Sequence, residues 1–191
     1  MTPGFSATSH WSSLLAKKCV LILGGARSGK SNFAQELAKK LSGKVLFVAT
    51  GQALDEEMKA RIEQHQKDRP KSWRTVEIPS DLGAQIEKHV GNARVVLIDC
   101  LTLLVSNLLG DDSDYPRAES KVIAEINGLI ACMGKLDASF IIVSNEVGLG
   151  IVPENRTARL YRDLLGKANQ LLAQHASQAY FMVSGIPMKI K

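Results

Sequence analysis

The chain has 191 residues, 45% of them hydrophobic and 23% charged, which suits one soluble α/β domain with a full core and leaves little room for a second. Its formal charge of +5 comes from lysines and arginines dispersed along the chain with few aromatics among them, which argues against a nucleic-acid-binding face and for phosphate-handling groups plus solvated surface. No stretch is long and apolar enough to span a bilayer.

Residues 1–18, MTPGFSATSHWSSLLAKK, lack the basic-then-apolar order of a secretory leader and read as a flexible extension ahead of a single domain over 19–191. The three cysteines, Cys19, Cys100 and Cys132, sit in or beside apolar segments without CxxC spacing. Small buried thiols in a reducing cytoplasm are the expectation.

The first apolar run, Val20-Leu21-Ile22-Leu23, is β-prone and leads directly into Gly24-x-x-x-x-Gly29-Lys30-Ser31, after which Asn32 to Leu41 has helical spacing. Strand, GxxxxGKS and helix in that order mark a phosphate-binding loop for a nucleoside triphosphate. Glycines 24, 25 and 29 let the backbone curl so that successive N–H groups point at phosphate, and the following helix adds the positive end of its dipole. Lys30 would reach the β and γ phosphates, and the Ser31 hydroxyl would ligate Mg²⁺.

A second strand is expected over Val45 to Ala49, and Asp55 can cap a helix whose first turn carries Glu56 and Glu57 and which Pro70 stops near Arg69. Arg61 and His65 share a face of it, with Lys67, Arg69, Trp73 and Glu77 beyond. A histidine on a polar helix is commonly a solvated residue; this one stands among basic groups, and a neutral imidazole is a competent nucleophile near pH 7. Spacing leaves both readings open.

Helical spacing returns over Asp81 to His89, and a third strand ends in Asp99, where phosphate-loop proteins put the carboxylate that holds Mg²⁺ through water. An acid that merely terminates the strand is the alternative. The aspartates of Gly110 to Arg117, GDDSDYPR, read as a solvated turn rather than a metal site.

After a helix over Ala118 to Met133 comes a strand, Phe140 to Val143, closed by Ser144-Asn145-Glu146; these polar groups either orient a nucleophile in the same crevice or cap a turn. Pro153 suits a first helical position, and the Arg156, Arg159, Arg162 stripe faces phosphate, a neighbouring subunit or water. Tyr180 to Val183 and the run after Ser184-Gly185 form an antiparallel edge hairpin. Short Val/Ile-rich strands alternating with helices predict an open, mostly parallel α/β sheet with helices on both faces and ligands at the strands' carboxyl ends.

Four segments together, GGARSGKS at 24–31, the EMxxRIxxHxxxRPxxWxTxE pattern from Glu57 to Glu77, NEVGxGIVPENRxAR from Asn145 to Arg159 and the closing VSGIPMKIK, resemble the bifunctional adenosylcobinamide kinase/adenosylcobinamide-phosphate guanylyltransferase family of cobalamin biosynthesis. The resemblance runs from Cys19 to the last residue. It implies a P-loop NTPase fold of the RecA-like kind, a homotrimer, and two reactions. The aminopropanol hydroxyl of adenosylcobinamide is phosphorylated with ATP or GTP; GMP then passes from GTP to adenosylcobinamide phosphate through a guanylyl-histidine, releasing pyrophosphate. The family's guanylylated histidine falls on His65. Its nucleotide contacts fall on Gly24, Gly25, Ala26, Arg27, Ser28, Gly29, Lys30 and Ser31, on Ala49, Thr50 and Gly51, on Gln66, Lys67, Asp68 and Arg69, and on Glu77 and Asp99. Ser31 and Asp99 would hold Mg²⁺, with Lys30, His65 and Asp99 as the catalytic set. Asp99 stands where relatives can carry Glu, and the first 18 residues have no counterpart in the family pattern. A P-loop kinase of another small-molecule alcohol, without guanylyl transfer, and a nucleotide-dependent regulatory module are the rival readings.

Overall fold

The computed structural model describes residues 18–51, 70–110 and 114–191. The chain runs β1 (Cys19–Gly24), α1 (Lys30–Leu41), β2 (Val45–Ala49), β3 (Arg74–Glu77), α2 (Leu82–His89), β4 (Val95–Asp99), α3 (Leu101–Leu109), α4 (Tyr115–Lys135), β5 (Ser139–Val143), α5 (Arg156–His175), β6 (Gln178–Val183) and β7 (Ile186–Lys189). The strands form one sheet in the order β3-β2-β4-β5-β1-β6-β7. All neighbours are parallel except β6 and β7, which pair antiparallel.

Period-two alternation sends each central strand into two cores at once. Val20, Ile22, Phe47, Leu97 and Ile141 pack with Ala34, Leu37 and Ala38 of α1 on one face. Leu21, Leu46, Val96, Phe140 and Ile142 point to the other, against residues of α2, α3, α4 and α5. Nearly every position of these strands is therefore apolar, and burying one such side chain stabilises the fold by about 1.5–3 kcal/mol. Helices cover both faces, as expected from the alternation.

Two elements were not visible in the pattern. β3, Arg-Thr-Val-Glu, is an exposed edge strand in which only Val76 packs against the core, so it carries no apolar run. The α3 sequence, LTLLVSNLL, is apolar almost all round and lacks the polar stripe that marks a surface helix. Where α2 crosses α4 the backbones approach so closely that a Cβ on Gly83 would stand 2.7 Å from the Gly128 carbonyl carbon.

The final helix begins later than Pro153. Asn155 is its N-cap, and its side-chain oxygen accepts the Ala158 N–H at 3.2 Å, a bond that proline at the first position does not supply. The Pro153 and Glu154 carbonyls instead accept from Arg159 Nη1 at 2.9 and 2.6 Å. Arg159 thus ties down the entry loop, and Arg162 lies beside Asp163.

At the C-terminus, Val183 pairs with Ile186 across a two-residue turn in which Ser184 and Gly185 have φ of 50° and 84°. Positive φ at both positions is the tight turn that matches strand twist. The expected helix from Asp55 to Arg69, with Arg61 and His65, lies outside the described residues, as do 1–17 of the N-terminal segment and 111–113 of the GDDSDYPR loop.

Candidate nucleotide site

The strand register lines up one end of the sheet. Glu77 of β3 stands opposite Ala49, Ala49 opposite Asp99, Asp99 opposite Val143, and Val143 opposite Ile22, two residues before Gly24. Residues that follow these positions, Gly24 to Ser31, Thr50-Gly51, Cys100 and Ser144 to Glu146, therefore share the carboxyl edge. The link between the last group and the loop is direct, since the Glu146 N–H donates to the Gly24 carbonyl at 3.0 Å.

Gly25, Ala26 and Arg27 form the exposed outer arc of the loop, with Arg27 at φ 57°, while Ser28 and Lys30 are buried. Gly29, at φ 92°, is the N-cap of α1 without any side-chain cap, and no acid sits in the first turn. Among the described residues no bond takes the N–H groups of Gly29, Lys30 and Ser31. N–H groups without a bond among the described residues, ahead of a first turn that holds no acid, suit an anion.

Lys30 Nζ donates to the Gly25 carbonyl at 2.6 Å, folded back across its own loop. Burial holds its ammonium below the ordinary lysine range, with Cys100 and Asp99 pulling the other way. Asp99, half-buried at the end of β4, is thus within electrostatic reach of Lys30. Ser31 is half-buried in the first turn of α1, and Glu77 is exposed at the end of β3. The thiols of Cys19, Cys100 and Cys132 are unpaired and pushed up to about 11 by burial, so they are protonated at neutral pH.

The floor of the crevice is set by polar residues that sequence reasoning passed over or read differently. Thr50 is fully buried, and its hydroxyl donates to the Cys100 carbonyl at 2.5 Å and accepts the Cys100 N–H at 3.0 Å. Asn107 Nδ2 donates to the carbonyls of Thr50 and Pro79. Together these bonds tie the ends of β2 and β4 to α3. On the other side the Thr102 hydroxyl accepts the Asn145 N–H at 2.9 Å, Asn169 Nδ2 donates to the Asn145 carbonyl at 3.0 Å, and the Tyr161 hydroxyl donates to the Thr102 carbonyl at 3.2 Å. Burial pushes the Tyr161 phenol well above its ordinary value and keeps it a donor. Asn169 had a signal in the sequence: it is an amide on the otherwise apolar stripe Leu160, Leu164, Leu165, Ala168, Leu172. Glu146 takes the turn-capping role, accepting the Gly148 N–H at 2.7 Å.

His65, Gln66, Lys67, Asp68 and Arg69 lie outside the described residues. The structure brings together Gly24 to Ser31, Ala49, Thr50, Gly51, Glu77 and Asp99 along one edge of the sheet.

The model of the family described as cobinamide kinase / cobinamide phosphate guanyltransferase matches residues 20–190. The chain belongs to that family. Within it, the chain is 46% identical over 180 residues to the bifunctional adenosylcobalamin biosynthesis protein CobU of Escherichia coli (strain K12), covering 90% of this chain and 99% of that protein. To the protein of the same name from Salmonella typhimurium (strain LT2) it is 43% identical over 180 residues, again covering 90% and 99%. Among solved structures, an ATPase domain superposes with a TM-score of 0.51 at 15% identity, over 86% of this chain and 69% of that one. That likeness concerns the fold alone: a mostly parallel sheet flanked by helices, here in an enzyme of the cobinamide kinase / guanyltransferase family.

Proposed function

We propose that the chain phosphorylates the aminopropanol hydroxyl of adenosylcobinamide with ATP or GTP, and then transfers GMP from GTP to the resulting phosphate through a guanylyl-histidine on His65. One observation carries this reading: an uncapped phosphate loop whose buried Lys30 lies within electrostatic reach of a strand-end carboxylate, in a chain of a family described by both activities.

In the first reaction the substrate hydroxyl attacks the γ phosphorus, forming the new P–O bond as the bond to the β-phosphate oxygen breaks and the hydroxyl proton is released to solvent. Lys30 leaves the Gly25 carbonyl to bind the β and γ oxygens, and the free N–H groups of the loop hold the charge that moves to the β phosphate. In the second, a nitrogen of His65 attacks the α phosphorus of GTP and pyrophosphate leaves; a phosphate oxygen of the substrate then displaces the histidine. Splitting the transfer lets each step join one nucleophile to one positioned phosphate. The same loop holds a transferred group in one reaction and a leaving group in the other.

Ser31 and Asp99 offer the hard oxygen donors that Mg²⁺ prefers, and the pull of Asp99 on Lys30 is consistent with a carboxylate facing the phosphate site. Bound there, Mg²⁺ would neutralise charge on the β and γ phosphates. Further nucleotide contacts are assigned to Gly24–Ser31, Ala49–Gly51, Gln66–Arg69 and Glu77. For Thr50 they would come through its main chain or methyl, since its hydroxyl is engaged with Cys100. The catalytic domain of this reading spans 19–191, works in the cytoplasm and assembles as a homotrimer.

Incubation with GTP labelled at the α phosphate tests the histidine step. Acid-labile, base-stable label on the protein, absent from His65→Ala, is expected. Label that survives acid or persists in that variant refutes the assignment, and unlabelled protein that still phosphorylates an alcohol returns the chain to a simple kinase.

A further inference from the structure

The phosphate loop leans on the far end of the chain. Gly24 pairs with Met182 of β6, and a Cβ at Gly24 would stand 2.7 Å from the Met182 carbonyl oxygen. At the turn between β6 and β7, the Gly185 N–H donates to the Ser28 carbonyl at 3.0 Å. A Cβ at Gly29 would lie 3.2 Å from the Gly185 Cα and 3.8 Å from the Met182 methyl carbon. Strand, bond and contact together place the rear of the loop against the C-terminal hairpin, with no side chain between them at Gly29 or Gly185.

We propose that the Ser184–Gly185 turn is a positioning element of the phosphate site: by holding the Ser28 carbonyl from behind, the Gly185 N–H keeps the loop in the curl that turns its own N–H groups toward phosphate. A carbonyl at the penultimate loop position has two ways to face, and an outward donor fixes one of them before any ligand arrives. Ser28 gains nothing from its own side chain, since its buried hydroxyl has no partner among the described residues. The donor sits in a two-residue turn with positive φ at both positions, so its direction is set by the β6–β7 pairing rather than by a mobile loop. Glycine suits 185 because the turn position has φ 84°, where a β-branched side chain is strained even though a Cβ there would meet nothing within 4 Å. The turn touches no reacting atom. It acts through the loop, and by linkage a nucleotide that favours the curled loop must also favour the bond behind it.

This inference rests on the loop binding nucleoside triphosphate. In the full chain, Mg·GTP affinity is measured by calorimetry at a temperature where every variant is folded by circular dichroism, and exchange of the Gly185 amide is followed by NMR with and without saturating Mg·GTP. Gly185→Val, strained at positive φ, is expected to weaken Mg·GTP roughly tenfold, the scale of one hydrogen bond. Gly185→Asn, which tolerates positive φ, is expected to stay within about threefold of the native protein. In the native chain, Mg·GTP is expected to slow Gly185 exchange at least about tenfold, a change that a purely structural turn would not show. A native chain that binds Mg·GTP while Gly185 exchange is unchanged, or a folded Gly185→Val that binds equally well, overturns the positioning role alone. A native chain that binds no Mg·GTP overturns the nucleotide reading and this role with it. Should Gly185→Val not fold, the exchange measurement decides.

Discussion

Thr50→Val tests whether the floor of the crevice is held by hydroxyl geometry or by packing. The side chain is fully buried and valine has nearly its shape, so the change swaps one hydroxyl for a methyl at almost constant volume. That oxygen accepts the Cys100 N–H at 3.0 Å and donates to the Cys100 carbonyl at 2.5 Å. The carbonyl keeps the Leu104 N–H at 3.3 Å, whereas the N–H loses its partner. An orphaned donor costs about 1–3 kcal/mol and a lost second bond about 1 kcal/mol, which makes about 2–4 kcal/mol in all. For a chain of this size that lowers Tm by about 4–16 °C. Thr50→Ser keeps the oxygen and deletes a methyl, which costs about 1 kcal/mol. Chemical denaturation of both variants, with m-values checked for equality, separates the two accounts. A valine variant as stable as the native chain, or a serine variant destabilised equally, refutes the claim that the hydroxyl is the tie between β2 and β4.

Other outcomes follow from the same geometry. Lys30→Met should abolish nucleotide-induced thermal stabilisation and reduce γ-phosphate transfer at least about a hundredfold, as expected for loss of a charge aimed at phosphate. Its pH behaviour has a definite sign. Burial depresses the Lys30 pKa, so the unfolded chain binds the extra proton, and the cost of burying the ammonium is full below the folded-state pKa and fades as pH rises toward the ordinary value of 10.5. Stability of the native chain relative to Lys30→Met should therefore rise over that interval in paired denaturation curves, and a difference that is flat or falling contradicts it. Gly83→Ala drives a Cβ into the Gly128 backbone and should cost about 1–3 kcal/mol by forcing α2 away from α4, read as a lower urea midpoint with Mg·GTP affinity unchanged. Arg159→Met removes both bonds to the Pro153 and Glu154 carbonyls, and faster proteolysis within 148–155 is the expected readout.

Much of the site was legible because its chemistry is local. Gly24-x-x-x-x-Gly29-Lys30-Ser31 encodes a curl, a charge and a hydroxyl within eight consecutive residues, and the apolar run before Asp99 encodes a strand with an acid at its end. The pieces that escaped are those whose meaning depends on a partner far along the chain. Thr50 reads as one polar residue after a strand, yet its oxygen is bound to Cys100. Asn169 is an oddity on an apolar stripe until it meets the Asn145 carbonyl. β3 has no hydrophobic signature because an edge strand is specified by its neighbour's free backbone groups more than by its own side chains. Pro153 satisfies the rule for a first helical position, but Asn155, two residues on, makes a bond that proline cannot.

By itself the sequence determined the strand–loop–helix of the phosphate site, the two-sided burial of the central strands and the family, since each depends on residues close together or on patterns repeated along the chain. Only the tertiary structure decided which carboxyl ends stand abreast, that the crevice floor is tied by Thr50, Thr102, Asn107 and Asn169, and that the loop rests against the turn at Gly185. Those are bonds in which a backbone group meets a side chain or another backbone group far away in sequence. Backbone C=O groups are alike at every residue and N–H groups at every residue but proline, so which partner each meets is settled when the sheet assembles.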